Sequence, residues 1–454
     1  MPSFVSTRGS SPKSFAEALF QGLAEDGGLY VPQLVPSFPA GGPDGGPAGG
    51  PDGQGTTQAP SETAAPTWLA ASARWAASAL LGGSLPSDLL TQVVDAALDF
   101  EAPLVEVDEG VYVMELFHGP SLAFKDVGAR FMARAMAALD EGDQAGPPRT
   151  VLVATSGDTG GAVASAFHGV SGTQVVVLFP KDGISARQRR QMTTLGGNVT
   201  AAAVDGTFDD CQRMAKAAFG DEALRSARRL TSANSINVGR LIPQTFYYVH
   251  AAATLGWDGP PPTYVVPSGN LGNLCAGLLA HRAGLPAAGF VAACNANTVF
   301  PDYLGSGLFQ PRPSVRTASS AMDVGDPSNL ERIRFLYGDD VAALRADVTG
   351  ISCSDEETKA TIADVFERTD YVLDPHGAVA YCAARKAGLP ERGPVVVLAT
   401  AHPAKFPQTV EEATGQPVEL PPTLADRMNE PEHWVEIAPT DTDLRRLLMN
   451  EDAS

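Results

Sequence analysis

Apolar positions change period along this chain. Near its start, Phe15, Ala18, Leu19 and Leu23 share one helical face. Trp68–Leu81 reads as a second amphipathic helix, short and interrupted by Arg74. From about residue 110, short β-branched runs alternate with helical ones. Strands are predicted at Val111–Phe117, Thr150–Thr155, Gln174–Phe179, Thr263–Val266, Gly289–Cys294 and Val395–Thr400. Helices are predicted at Val127–Leu139, Gly161–Phe167, after Ile184, and at Leu274–Ala283. This alternation predicts an α/β fold with mainly parallel sheets and helices on both faces. Ligands in such sheets sit beyond the carboxyl ends of the strands. The loops to watch are therefore 118–126, 156–161, 268–273 and 400–405.

One stretch follows neither period. Residues 38–66 are almost all Pro, Gly, Ala and small polar residues. They cannot bury enough apolar surface to offset chain entropy, so they are predicted to form a flexible surface insertion in an N-terminal lobe of helical character.

With 454 residues the chain should hold two or three lobes. A net charge of -20 repels nucleic acid and anionic membrane surfaces, so neither is expected as a partner. It also repels an anionic substrate, which must then find local cations or helix N-termini. The five cysteines, Cys211, Cys275, Cys294, Cys353 and Cys382, form no CxxC pair. That argues against a disulfide framework or a zinc site, and no metal is expected. The N-terminus lacks a signal-peptide layout and no run is long enough to span a membrane, so a cytoplasmic location is expected.

Candidate chemistry clusters in the strand-end loops. His118–Asp126, HGPSLAFKD, places Lys125 where a helix opens, beside Leu122, Ala123 and Phe124. Desolvation by such neighbours lowers an amine's pKa, as Schiff-base chemistry requires; a solvated helix-end lysine is the plainer alternative. Ser156–Ala162, SGDTGGA, and Pro267–Asn273, PSGNLGN, are Gly-rich loops between strand and helix. Both offer backbone N–H groups to an anion, with glycine where the backbone must approach closely. For the first loop, a tight turn with Asp158 as the helix cap is the alternative.

Five segments in order resemble the threonine synthase family: LFHGPSLAFKDVGARF, SGDTGGAVASAFHG, SANSINVGRLIPQ, VPSGNLGN and ATAHPAKF. The N-terminal STRG and GLAEDGGLYVP resemble its longer bacterial and fungal branch. The resemblance implies fold type II of the pyridoxal-5′-phosphate (PLP) enzymes, with two lobes of mainly parallel sheets flanked by helices, plus the N-terminal helical lobe. The chain would divide into an N-terminal lobe at 1–105, a smaller lobe at 106–235, a larger lobe at 236–430 and a tail at 431–454. Lys125 would be the catalytic lysine that carries PLP. Gly269, Asn270, Leu271, Gly272 and Asn273 would hold the cofactor phosphate, and Thr400 would bond the pyridine nitrogen. Ser156, Asp158 and Thr159 would meet the substrate carboxylate or the cofactor's ring oxygen. Asn234, Ser235, Asn237 and Arg240 match the part that receives the substrate phosphate. Arg240 has the planar fork that suits phosphate oxygens; Lys181, Arg187 and Lys405 are secondary cations. His118 would be a proton relay or, more simply, a structural hydrogen bond.

Two positions depart from the wider pattern. Asp158 stands where fold-type-II enzymes usually carry Asn, and an anion there needs a compensating proton or cation. Leu271 stands where an aromatic residue is frequent. The implied reaction converts the small molecule O-phosphohomoserine and water to threonine and phosphate, in a monomer or homodimer. Another fold-type-II lyase, such as a serine/threonine dehydratase or phospho-amino-acid lyase, would share Lys125 and the phosphate loop, but GLAEDGGLYVP and NSINVGR argue against it. A non-catalytic PLP-binding protein would have lost a catalytic group, and Lys125, both loops and Arg240 are present.

Overall fold

The computed structural model describes residues 2–43, 67–140, 146–389 and 393–449. Its strands, in chain order, are β1 (Phe4–Ser6), β2 (Tyr30–Pro32), β3 (Leu104–Asp108), β4 (Val111–Glu115), β5 (Arg149–Ala154), β6 (Thr173–Pro180), β7 (Val199–Val204), β8 (Thr231–Ser232), β9 (Thr263–Pro267), β10 (Gly289–Cys294), β11 (Val348–Ser352), β12 (Val395–Ala399) and β13 (Val435–Ile437). Among the described residues these make three sheets. β1 and β2 form an antiparallel ribbon. The larger sheet runs β11-β10-β9-β12-β4-β3 and is parallel except for the β3–β4 edge pair. The smaller sheet, β13-β7-β6-β5-β8, is parallel throughout.

The central strands are apolar runs because both faces are covered. Every residue of β5 and of β12 is buried, as expected where helices flank a parallel sheet. The predicted strands match to within a residue or two. Helices at the cleft begin earlier than the apolar period suggests: Lys125–Asp140, Asp158–Phe167 and Gly272–Arg282. Their first turns carry polar residues and glycines, which interrupt the apolar stripe that marks a helix.

Sheet membership departs from the linear division in two places. β3 and β4 lie in the larger sheet, with Val111 paired to Val395 of β12. Residues after 431 are not a tail. β13 pairs with β7, and the helix Asp441–Met449 buries Leu444 and Leu448 in one cluster with Cys211, Met214 and Phe219. The strand VEI is three residues long with a charged middle, so it carries no strand pattern of its own; its partner defines it. The first residue of the predicted insertion is packed rather than loose. Phe38 is buried, 5.1 Å from the Trp75 ring, and its N–H donates to the Ala283 carbonyl at 2.6 Å. Residues 44–66 lie outside the described residues.

Candidate active site

The loops that follow β5, β9 and β12, with the segment leading to Lys125, enclose a cavity of about 140 Å³. Lys125, Ser156, Asp158, Thr159, Asn234, Ser235, Arg240, Gly269, Asn270, Leu271, Gly272, Asn273 and Thr400 all line it. Asn237 does not. Its amide nitrogen donates to the carbonyls of Leu19 and Ser232, and its side-chain oxygen caps the helix Val238–Leu241 at the Gly239 N–H. Asn237 is fully spent on that local geometry. Asn234 is similarly engaged, exchanging bonds with the backbone of Ala154, but it still borders the cavity.

Lys125 opens its helix, with its amine 5.6 Å from the Phe124 ring centroid. Burial pulls its pKa down to about 8; Asp158 opposes the shift, and Lys405 and Arg240 add to it. The compensating cation for Asp158 is Lys405. Its ammonium, fully buried, lies 2.7 Å from Asp158 Oδ1 and donates to the Ser121 carbonyl at 2.9 Å. Gln188 adds a bond to the same carboxylate oxygen at 3.0 Å. Burial alone would push the Asp158 carboxyl up, but Lys405, Lys125 and His376 outweigh it and hold it well below the usual carboxylate range. Lys405 is therefore committed here and is not a spare cation. Lys181 pairs with Glu436 on the surface, Arg187 donates to the Ala404 carbonyl, and His118 bonds Glu115 at 2.7 Å outside the cavity.

The SGDTG loop closes on itself. Thr155 Oγ1 accepts the N–H groups of Gly157 and Gly160 at 2.9 and 2.8 Å. A Cβ on Gly157 would lie 2.5 Å from the Gln188 amide, and its φ of 141° favours glycine. The SGNLGN loop is built differently. Among the described residues no side chain caps the helix Gly272–Arg282, so nothing stands in for the intrahelical acceptors that its first-turn N–H groups lack. The left-handed residue before it is Leu271, at φ 59°. Gly269 is needed for closeness, since a Cβ there would meet Met322 Cα at 2.8 Å.

Two residues of the cavity lining carry a buried donor without a partner among the described residues. Asn273 accepts the hydroxyls of Tyr247 and Tyr248, both at 2.7 Å, which fixes its amide, while its Nδ2 has no partner among the described residues. Arg240 Nε is also unpartnered, with Nη1 on the Ala233 carbonyl. Burial lowers the Arg240 pKa only to about 10, against the pull of Asp126, so it stays charged near neutrality. A helix start without a side-chain cap beside Asn273, and a separate guanidinium with no carboxylate in contact among the described residues, fit a cofactor that carries one phosphate and a second anionic group in the same cavity. His376, which the sequence reading missed, lines the cavity too. Its Nδ1 is 3.0 Å from Asp374, the cap of the helix Pro375–Lys386, and its Nε2 is buried without a partner among the described residues. A proline and histidine at a helix start were its only local sign. Elsewhere, Cys353, Glu357 and Cys382 bring their ligand atoms within 4.8 Å of one another, but Lys386 sits 2.6 Å from Glu357, so an ammonium already holds that carboxylate.

Residues 97–401 match the model of the pyridoxal-phosphate dependent enzyme family; 3–42 and 377–447 match those of the threonine synthase N terminus and C-terminal region. The chain is 42% identical over 437 residues to the threonine synthase of Serratia marcescens, covering 96% of each. It belongs to the threonine synthase family. The threonine synthase of Escherichia coli (strain K12) is 40% identical over 96% of each chain. The crystal structure of Escherichia coli threonine synthase superposes with a TM-score of 0.86 at 38% identity, over 99% of this chain and 100% of that one. The PLP-bound threonine synthase from Brucella melitensis also gives 0.86, at 35% identity over the whole of both. Fold type II, the threonine synthase activity, a PLP-dependent lyase reaction, and the PLP cofactor follow from this membership. The threonine deaminase isoform 2 from Solanum lycopersicum shares the fold alone, at 17% identity and a TM-score of 0.55 over 72% of this chain. No helix among the described residues is long and apolar enough to cross a membrane.

Proposed function

We propose that the chain converts O-phosphohomoserine and water to L-threonine and phosphate, with Lys125 as its catalytic amine. The observation that carries this reading is one cavity holding a lysine of lowered pKa, a helix start without a side-chain cap and a separate Arg240 whose guanidinium touches no carboxylate among the described residues. Bound PLP supplies the electron sink for removal of a proton at Cα. Lys125, neutral in a useful fraction near its pKa of about 8, takes and returns that proton through Nζ. The backbone from Gly269 to Asn273 holds the cofactor phosphate, and the Thr400 hydroxyl donates to the pyridine nitrogen. Ser156 and Thr159 donate to the substrate carboxylate; the Lys405 ammonium neutralises Asp158, so that carboxylate meets no net repulsion. Ser235 and Arg240 receive the leaving phosphate, the guanidinium fork matching its oxygens. The five cysteines are buried and free, which supports a reducing, cytoplasmic setting.

The test is incubation of the PLP-loaded protein with O-phosphohomoserine, with threonine and phosphate scored together. Equal amounts of both are expected. A 2-oxo acid and ammonia in their place would move the chain to the dehydratase reading.

A further inference from the structure

The STRG and GLAEDGGLYVP segments line no part of the cavity, yet the second is tied to it through one buried guanidinium and the first through the neighbouring Glu331. Arg332, in the helix Leu330–Leu336, is fully buried. It has no carboxylate partner among the described residues and spends its fork on oxygens from three parts of the chain. Nε donates to the Tyr30 carbonyl at 3.0 Å. Nη1 donates to the Ser235 carbonyl at 2.6 Å and to Asn329 Oδ1 at 2.7 Å. Nη2 donates to the Ile236 carbonyl at 2.6 Å. Burial lowers its pKa to about 10, so the group remains a cation.

Asn329 carries the arrangement to the cavity. Its amide donates to Ser235 Oγ at 3.1 Å and to the Asn270 carbonyl at 3.0 Å. Asn270 in turn donates to Ser235 Oγ at 2.8 Å, and its own oxygen accepts the Ser328 N–H at 2.6 Å. The SGNLGN loop and the SANSINVGR segment are therefore fastened to each other and to Arg332. The N-terminal motifs fasten the other side. Glu331 accepts the Thr7 hydroxyl at 2.5 Å and both forks of Arg8 at 3.0 and 3.1 Å. Asp26 accepts Ser6 Oγ at 2.7 Å and the Gly28 N–H at 2.9 Å, which shapes the turn that delivers Tyr30 to Arg332.

A buried cation that touches no carboxylate among the described residues is costly, even with Glu331 nearby to favour its charge, and neutral side chains could have joined these segments. A guanidinium is distinctive in fixing three directions at once in one plane. We propose that Arg332 is a positioning residue that sets the phosphate loop at Asn270 against the substrate segment at Ser235 and Ile236, with the N-terminal segment as its buttress. This rests on the reading that those two segments receive the cofactor and substrate phosphates.

Arg332→Lys keeps the charge and loses the planar fork. With secondary structure retained, the variant should bind PLP about tenfold more weakly and show a KM for O-phosphohomoserine raised by about tenfold or more, with kcat changing less. Hydrogen exchange of the substrate-free protein should quicken at 232–237 and 268–273. A lower melting temperature with unchanged PLP affinity and unchanged KM would reduce Arg332 to a structural residue. If Arg332→Lys does not fold, Asn329→Ala severs the bonds to Ser235 and Asn270 while leaving the carbonyl contacts of Arg332. It should then show the same losses, and their absence overturns the proposal. Should the unaltered protein form no threonine from O-phosphohomoserine, the substrate reading fails, while PLP affinity and exchange still decide the role of Arg332.

Discussion

The loops after β5 and β9 read alike as sequence, each a Gly-rich turn between a strand and a helix, but they differ in how far their own side chains close them. The loop after β5 is partly closed. Thr155 takes the N–H groups of Gly157 and Gly160, and its one acidic side chain, Asp158, is matched by Lys405 and Gln188. The loop after β9 is open. Its helix has no side-chain cap, and the Asn273 amide is held in place with a donor to spare. Glycine content does not distinguish an anion cradle from a rigid turn; what matters is whether the chain has already supplied acceptors for the N–H groups. The first loop keeps the Gly157 and Gly160 N–H groups for itself and adds the hydroxyls of Ser156 and Thr159; the second offers its backbone.

The largest break in this contrast should come from Lys405→Met, which leaves Asp158 buried without its cation. A loss of roughly 3–5 kcal/mol is expected in denaturant unfolding, largely restored by adding Asp158→Asn. A loss below about 1 kcal/mol would mean that the ion pair does not close the loop. The sign with pH follows. Because Asp158 is held below the usual carboxylate range, its contribution is present above the unfolded pKa of about 4 and is lost only as pH falls through the lower folded value. Acid unfolding between pH 7 and 5 should therefore not draw on this pair. Next in size is Thr155→Val. It strands the Gly157 N–H, leaves the Gly160 N–H only the Gly157 carbonyl at 3.1 Å, and should cost roughly 1–3 kcal/mol of stability. No change would show the two loops to be alike after all. The smallest effect is expected for Leu271→Gly. Relief of the left-handed φ and the added freedom of the unfolded chain offset each other to within about 1 kcal/mol. PLP affinity should hold if backbone N–H groups bind the phosphate; a large fall would give the Leu271 side chain a role of its own.

The fold was legible because its central strands are short apolar runs bounded by turn residues, as in β5 and β12. The cavity was legible because polar and glycine residues recur at strand ends, where parallel sheets place ligands. What escaped were partnerships set by tertiary geometry. Asp158 and Lys405 are far apart in sequence, so nothing near either residue announces the pair. Asn237 sits among site residues in sequence, yet a cap two residues long absorbs it. Arg332 lies outside every motif and acts through carbonyls, which have no residue identity to read.

The pairing of distant strands has a consequence for how the chain is made. β4 must wait for β12 before it has its parallel neighbour, and β7 stays an open sheet edge until β13 has been synthesised. Neither sheet can be completed while the ribosome is still short of residue 395, and the smaller one not before residue 437. Until then β7 offers unpaired N–H and C=O groups, which makes nascent chains vulnerable to wrong pairing. A protein cut near residue 236 would yield two fragments, each deprived of a strand that the other holds.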